Sequence, residues 1–309
     1  MLPTLPRRNL IYYANAHSRG GNIVPLTQNL VLSIRDPNAD PALVGNARII
    51  RIRNNGAVPA NNLRVNATGL PAGTTITSNT CIGTLNAGAT CDITITPGST
   101  ASSDAGNNPC TTAPGTVPVP STVTVSADNA ASTNINVLIL GYGCIYQNGF
   151  LFSVDDATPN INSIGGKIAA LADEPSTYEW STIYNNTAAD SISDGFSNTN
   201  ALATPIGQYP AAQVCLNQNW YLPAICELGR YVGSGVDPGC GTTNPNLYTT
   251  LYLNNLGGFS NLVYWSSTEG NTLPQLTAWS QRFATGSIFN SSNKIANTLP
   301  VRCIRALTI

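Results

Sequence analysis

Charged residues are scarce in this 309-residue chain: Asp, Glu, Lys and Arg make up 9% of it, against about 25% in ordinary soluble domains. The two signs nearly balance, with eight basic against five acidic residues up to residue 144 and six against ten from residue 145 onward. Neither part carries the basic surplus that binds nucleic acids. We expect a polar, uncharged surface, which suits secreted and cell-surface β proteins, and no nucleic-acid partner.

Histidine is almost absent as well, because His17 is the single copy. It lies in a polar N-terminal stretch, so neither predicted core contains a base for a Ser-His or Cys-His nucleophilic pair. Paired carboxylates occur at residues 155–156 and 173–174. Both pairs adjoin turn residues, however, and a glycosidase needs two carboxylates that face each other. We therefore predict a protein that is not an enzyme and needs no cofactor.

Long apolar runs are missing too. The best is residues 137–140, far below the roughly 20 residues that cross a bilayer, so we expect no membrane insertion. The start of the chain has no apolar core of a signal peptide. If the protein is exported, we expect the printed sequence to be a processed or engineered form, or export to use another route.

Cysteine, in contrast, is present in eight copies, with no Cys-x-x-Cys pair and no nearby histidine. This pattern disfavours zinc sites and redox motifs. An even number in such a composition indicates four disulfides formed in an oxidising compartment, with reduced buried thiols as the alternative. The cysteines are Cys81, Cys91, Cys110, Cys144, Cys215, Cys226, Cys240 and Cys303.

Up to residue 144, short β-rich runs alternate with Gly, Asn and Pro, a pattern typical of a β-sandwich. The turn at residues 86–88 predicts a hairpin that brings Cys81 close to Cys91. Cys110 and Cys144 are then left as the second pair of this half, by elimination.

Arginine and isoleucine are interspersed at residues 48–53. We interpret Arg48, Arg51 and Arg53 as one solvated face of a strand, with a basic binding stripe as the alternative.

The segment "GLPAGTTITSNTCIGTLNAGATCDITITPG", residues 69–98, resembles the immunoglobulin-like modules of bacterial surface proteins. The resemblance spans about residues 27–143 and implies a spacer or presentation module. Residues 1–26 precede it as an N-terminal extension. Within them "NLIYYANA" has the β propensity of a strand that could be exchanged with a neighbouring molecule.

The second half contains, in order, "AAQVCLNQNWYLPAICELGRY", "LVYWSSTEG", "AWSQRFATG" and "LPVRCIRAL". This order resembles a bacterial domain family with a C-type-lectin-like fold, including the C-terminal domain of Lcl-type collagen-like adhesins. A Gly-x-y repeat is absent, so a collagen stalk is excluded. We predict a mostly β protein of two domains: an immunoglobulin-like β-sandwich at 27–144 and an α+β C-type-lectin-like domain at 145–309.

The resemblance also implies the remaining disulfides. In the C-type-lectin-like fold, the cysteine just before the second helix is bridged to one on the final strand, and Cys215 and Cys303 match those positions here. Cys226 and Cys240 are then left to tie a helix in "PAICELGRYV" to the loop after it. Apolar residues at spacings of three and four, from Leu222 to Val232, predict that helix.

Metal-dependent sugar binding is not expected. Sugar-binding C-type lectins coordinate calcium through Glu-Pro-Asn or Gln-Pro-Asp and Trp-Asn-Asp triplets, and neither kind occurs here. A structural calcium ion stays open as an alternative.

The four tryptophans all lie in the second half. Trp220, Trp265 and Trp279 fall inside the family motifs and are predicted to be buried framework. Trp180 lies in a polar stretch with Tyr178 and Tyr184, and we predict it as an exposed platform for a sugar ring, with simple packing as the alternative.

In the family's fold, the irregular segment between the second helix and the last strands faces the ligand, and such loops commonly carry recognition. Residues 233–262 are therefore the predicted binding surface, preorganised by Cys226–Cys240. The predicted ligand-binding residues are Trp180, Asp237, Asn246, Tyr248, Asn254, Glu269 and Asn271.

Taken with the cysteines, this predicts an extracellular or cell-surface adhesin-like protein that binds glycans or a host or matrix surface. The alternative is a structural subunit of an extracellular filament or surface layer. In that case near-zero net charge favours self-association, and the N-terminal strand completes the sandwich of a neighbour.

Overall fold

The computed structural model describes residues 20–308. His17 and the "NLIYYANA" segment therefore lie outside the described residues. Over the described range the chain is mostly β, with sixteen strands, four short α-helices and one 3-10 helix. The β-rich class predicted from the sequence is confirmed.

Two sheets are built from residues before 141. All pairings within them are antiparallel except the parallel pair β2–β9. A four-stranded sheet has the order β1 (Ile23–Pro25), β3 (Arg48–Asn54), β7 (Thr90–Thr96) and β5 (Thr75–Asn79). A five-stranded sheet has the order β2 (Asn29–Ser33), β9 (Ala130–Leu140), β8 (Ser121–Ala127), β4 (Ala60–Thr68) and β6 (Gly83–Leu85).

Alternation along the strands forms the core of this half. Ile93 and Ile95 on β7 are fully buried, and so are Val123 and Val125 on β8. All four belong to one apolar cluster, to which both sheets contribute. A period of two places such residues on a single face of each strand, so the two sheets bury those faces together.

Strand β3 corrects one prediction. Its burial alternates strictly, and Arg48 lies on the buried face with Ile50 and Ile52. The predicted face of three solvated arginines is therefore wrong, because the spacing from Arg48 to Arg51 is odd and places the two side chains on opposite faces. Arg51 and Arg53 alone share the outer face.

The turn at residues 86–88 does not form the predicted hairpin, because it connects strands that belong to different sheets. Strand β6 pairs with β4, whereas β7 pairs with β3 and β5. Cys81 and Cys91 are bonded, as expected, but they meet because Cys81 follows β5, whose Asn79 lies opposite Ile93 of β7.

The second half contains two more antiparallel sheets and the helices. One sheet has the order β10 (Ile145–Tyr146), β11 (Gly149–Asp155), β12 (Gly165–Ala170) and β16 (Ile304–Ala306). The other has the order β13 (Val263–Glu269), β14 (Thr277–Arg282) and β15 (Ile288–Asn293). The helices are α1 (Gly195–Ala201), α2 (Pro210–Leu216), α3 (Ile225–Leu228) and α4 (Leu247–Thr250), followed by the 3-10 helix Tyr252–Asn254.

Helix α3 is shorter than predicted. It ends after Leu228, because Gly229 has an extended backbone and a Cβ at Gly229 would collide with the side chain of Gln281. Val232, expected on the buried stripe, is 45% exposed. The apolar spacing in the sequence continues past the end of the helix, where Gly229 packs against the Gln281 side chain of β14.

Four disulfides join Cys81–Cys91, Cys110–Cys144, Cys215–Cys303 and Cys226–Cys240. These are the expected pairs, and each bond links cysteines of the same half.

The two halves are in direct contact. The guanidinium of Arg48 pairs with Asp156 at 2.7 Å and donates to the carbonyl of Asn162 at 2.6 Å. Ile164 donates its backbone N–H to Val31 on β2, and Ile164 and Leu307 belong to the apolar cluster of the first half. A buried charge and shared apolar surface therefore fix the second half against the sandwich.

Candidate ligand-binding surface

The first part of the predicted surface is a glycine-rich loop, residues 233–241, with two attachments. Cys226–Cys240 joins it to α3, and Val236 donates its backbone N–H to Ile288 on β15 at 2.9 Å. Gly235 approaches Ile288 so closely that a Cβ would collide with its backbone, and Gly235 has φ +84°. The loop is thus held by covalent and backbone contacts, since it has little apolar surface of its own.

The second part is α4 with its N-cap residue Asn246, and two of the predicted ligand residues have structural roles there. Asn246 is fully buried, and its side chain caps the helix by accepting a hydrogen bond from the N–H of Thr249 at 2.9 Å. Tyr248 is 6% exposed, stacks on Tyr252 and meets Phe283 edge-on. Burial raises the pKa of Tyr248. Both side chains are buried beneath the predicted binding surface and stabilise its structure.

Trp180 is not the exposed platform that the sequence predicted. It is 0% exposed, its indole N–H donates to the carbonyl of Ser266 at 2.9 Å, and the Lys294 ammonium lies 4.3 Å from its ring centroid. Polar residues flank Trp180 in the sequence, so nothing in the sequence indicated that this side chain is packed in the core. Tyr184, 50% exposed, is the outer member of the predicted aromatic group.

Glu269 is buried next to Trp180. Its carboxylate forms an ion pair with Lys294, and the two side chains are 2% and 0% exposed. It also accepts a hydrogen bond from the N–H of Thr187 at 2.9 Å. Burial lowers the pKa of Lys294, while the hydrogen bond and the charge of Glu269 oppose that shift. Glu269 therefore acts inside the fold, where it neutralises the buried Lys294.

The other three predicted residues are exposed. Asp237 accepts a hydrogen bond from the N–H of Gly239 at 2.8 Å and shapes the glycine-rich loop. Asn271 accepts one from the side chain of Asn290 on β15 at 3.1 Å. Asn254 lines a cleft at the junction of the two halves.

That cleft has a volume of about 550 Å³. One wall is the loop at residues 36–43, closed by paired backbone hydrogen bonds between Asp36 and Leu43. The other wall is the segment 249–256, with Leu253 on its rim, 54% exposed. Tyr142, from the end of the sandwich, lies between them.

Negative charge dominates the electrostatics of the cleft. Asp36 and Asp40 both line it, and Asp40 forms an ion pair with Arg230 that links the two halves. Burial raises the pKa of Tyr142, and the charges of Asp40 and Asp36 raise it further. The Tyr142 hydroxyl therefore stays protonated and donates to the carbonyl of Pro41 at 3.2 Å.

A second recess of about 350 Å³ lies beside the Cys226–Cys240 bond. Lys167 and Glu227 form an ion pair there, and Glu227 also accepts hydrogen bonds from the backbone N–H groups of Gly195 and Ala224. The carboxylate is thus committed to holding α1 and α3 together.

Sequence reasoning missed the contribution of the first half. It treated residues 27–144 as a spacer, whereas Asp36, Asn38 and Tyr142 line the cleft with Asn254. The available signal was the short acidic loop "DPNADP" at residues 36–41. Nothing in the sequence pairs that loop with α4.

Residues 20–308 contain no group of three or more His, Cys, Asp or Glu side chains placed to hold a metal ion. Over the same range, no helix is long and apolar enough to cross a membrane.

Comparison with family models found no match, and comparison with curated proteins found none either. Among solved structures, similarity is found to the secreted serine protease VesC from Vibrio cholerae, at 14% identity and a TM-score of 0.25, covering 54% of this chain and 38% of that one. A Bacteroides ovatus GH5 xyloglucanase in complex with a XXXG heptasaccharide gives 12% identity and a TM-score of 0.24, covering 59% of this chain and 34% of that one. This chain thus corresponds to little more than a third of either protein. Likeness at this level supports no assignment of fold or activity.

Proposed function

We propose that this chain is a secreted or cell-surface, adhesin-like protein that acts by binding and not by catalysis. In it, an immunoglobulin-like β-sandwich supports a C-type-lectin-like domain that recognises glycans on a host or matrix surface. The four disulfides indicate an oxidising environment of the extracellular or secreted kind. The low charge of the chain agrees with that environment.

The observation that carries the proposal is the organisation of residues 233–262. This stretch has little regular structure, yet the Cys226–Cys240 bond and the contact with Ile288 hold it in place. Residues of the stretch line both the cleft and the recess. An irregular segment fixed to a rigid framework and bordering concave surfaces is typical of a recognition site.

Replacing Cys226 and Cys240 together by Ser tests this assignment. We expect the double variant to bind its glycan more weakly, because a loosened loop loses more conformational entropy on binding. The domain should stay folded, since Cys215–Cys303 still closes it. Binding is measured by calorimetry and folding by circular dichroism.

The matched control is the Cys81→Ser, Cys91→Ser variant, which removes a bond of similar span in the sandwich. If the Cys226 and Cys240 variant binds as tightly as the parent, residues 233–262 are not the binding surface.

A second candidate function is a structural subunit that polymerises by strand addition. Strand β5 favours it, because β5 is an edge strand with exposed and half-exposed residues and no charged side chain. The test is deletion of residues 1–19, which spares β1 and its pairing with β3. If the chain polymerises, light scattering should detect assemblies of the parent protein and none of the truncated protein. If the chain is a monomeric adhesin, the truncation should leave its size in solution and its ligand binding unchanged.

A further inference from the structure

We infer that the glycan site is composite: the cleft between the two halves binds an uncharged saccharide, and the sandwich supplies part of the site. This inference rests on the proposed function and identifies its site and ligand class. It assigns a binding role to Asp36, Asn38 and Tyr142 of the sandwich, a role that a module acting only as a spacer would not have.

The dimensions of the cleft suit a small saccharide unit. Its volume of about 550 Å³ lies within the roughly 300–1,000 Å³ of typical ligand pockets. Both halves contribute to its walls, with Asp36 and Asn38 facing Thr249 and Asn254. The Arg230–Asp40 pair and the buried Arg48–Asp156 pair each join one half to the other, which fixes the position of one wall relative to the other.

Its lining has the mixture of groups that sugars require. The Asn254 carboxamide nitrogen is committed to the carbonyls of Thr249 and Thr250 at 3.0 and 3.2 Å, so its oxygen is the end that can accept from a sugar hydroxyl. The Asp36 carboxylate adds a charged acceptor, which makes stronger hydrogen bonds than a neutral one. Leu253 offers apolar contact to the C–H face of a ring.

Charge selects among glycans. Arg230 compensates Asp40, and Asp36 has no ion-pair partner within residues 20–308. The cleft is therefore negative overall, and it repels sulfate and carboxylate groups on a ligand. An uncharged saccharide keeps the hydrogen bonds to Asp36 without that repulsion.

Thr249 supplies an independent observation. It lines the cleft and is 4% exposed, and its hydroxyl is buried without a hydrogen-bond partner. An unpartnered buried hydroxyl is costly to a folded protein. A rotation of this side chain toward the cleft gives the hydroxyl a partner when a saccharide binds.

The experiment measures binding of the full chain to an array of uncharged, sialylated and sulfated oligosaccharides. The uncharged oligosaccharide with the strongest signal is then titrated against variants by calorimetry. We expect Thr249→Val and Asn254→Ala each to weaken its binding by about tenfold, the loss of one hydrogen bond. Thr249→Val should also raise the melting temperature, because it removes the unpartnered hydroxyl.

Asp36→Asn is expected to weaken binding to the uncharged ligand, and Asp104→Asn is its control. Asp104 is also a carboxylate that accepts from nearby backbone N–H groups in a loop of the sandwich. The composite site is overturned if Asp36→Asn binds like the parent, because the tested residue of the sandwich then contributes nothing, and the cleft is not the site at all if Thr249→Val and Asn254→Ala also bind like the parent. Binding confined to sialylated or sulfated glycans overturns the uncharged ligand but leaves the proposed function standing. No glycan binding by the parent contradicts both.

Discussion

Burial separates the predicted ligand residues into two groups. Trp180, Asn246, Tyr248 and Glu269 are buried and make contacts within the protein. Their positions in the sequence led to their prediction as ligand-binding residues, but those positions do not show whether each side chain points into the core or toward solvent. Glu269 and Lys294 illustrate this, since 25 residues separate two charges that meet in the interior.

We predict that Glu269→Gln lowers the free energy of unfolding by about 3–5 kcal/mol, because it leaves the Lys294 ammonium buried without its counterion. Urea denaturation measures the change. Asp237→Asn is the control, an exposed loop carboxylate whose loss should change stability by no more than about 0.5 kcal/mol. If Glu269→Gln unfolds like the parent but binds glycan poorly, Glu269 is a ligand residue after all.

At the scale of elements, strands were the most predictable feature. The runs that became β7 and β8 alternate apolar and polar residues, and their burial alternates in the same way. Strand β2 instead contains a continuous apolar run, residues 30–32, and is buried from Leu30 to Ser33. Strand partners were not predictable in the same way, because β6 and β7 are close in sequence yet pair in different sheets. Helix α3 ends just before Gly229, which packs against Gln281 of β14, and sequence spacing carries no information on that contact.

The glycine-rich loop gives a matched pair of variants. Gly235 and Gly239 have similar positive φ angles, +84° and +86°, but a Cβ at Gly235 meets the Ile288 backbone whereas one at Gly239 meets nothing within 4 Å. We predict that Gly235→Ala removes the hydrogen-exchange protection of the Val236 amide, and that Gly239→Ala preserves it. Equal protection in both variants would show that the contact with β15 does not hold the loop.

The Arg51–Asp92 pair joins β3 to β7 on the outer face, and its side chains are 35% and 32% exposed. The hydrogen bond from Arg51 lowers the pKa of Asp92 below its ordinary value of 3.8. The stabilisation is therefore complete above that ordinary value and is lost as pH falls through the lowered pKa.

We accordingly predict that Asp92→Asn lowers the unfolding free energy by at most about 1 kcal/mol near neutral pH, since solvent screens an exposed pair. The difference from the parent should shrink as pH falls below the ordinary pKa of aspartate, and it should vanish once pH has passed below the lowered pKa of Asp92. Thermal unfolding across this range measures it. A difference that stays constant with pH would show that the ion pair is not its source.

At the scale of the whole molecule, the sequence was divided into two halves near residue 145, but the contact between them was not predicted. Arg48 was interpreted as a solvated residue, and it is instead 1% exposed and bonded to the loop at residues 156–162. Contacts between residues more than 100 positions apart leave no periodic signal in a single sequence. The composite cleft is a consequence of the same contact.

We predict that Arg48→Met weakens this attachment, lowering the unfolding free energy by about 3 kcal/mol, because Asp156 loses its partner at a nearly buried position. Backbone amides at residues 160–164 should exchange hydrogen faster. Arg53→Met, on the exposed part of the same strand, is the control and should leave both quantities unchanged. Unchanged exchange in the Arg48 variant would mean that other contacts fix the halves.

The central claim is that this protein binds glycans, and that it does so without calcium. Binding of the 309-residue chain to a glycan array, measured with and without a strong calcium chelator, tests both parts together. The account predicts binding to uncharged glycans that is the same in the two conditions. Binding that disappears with the chelator, or no binding to any glycan, would contradict it.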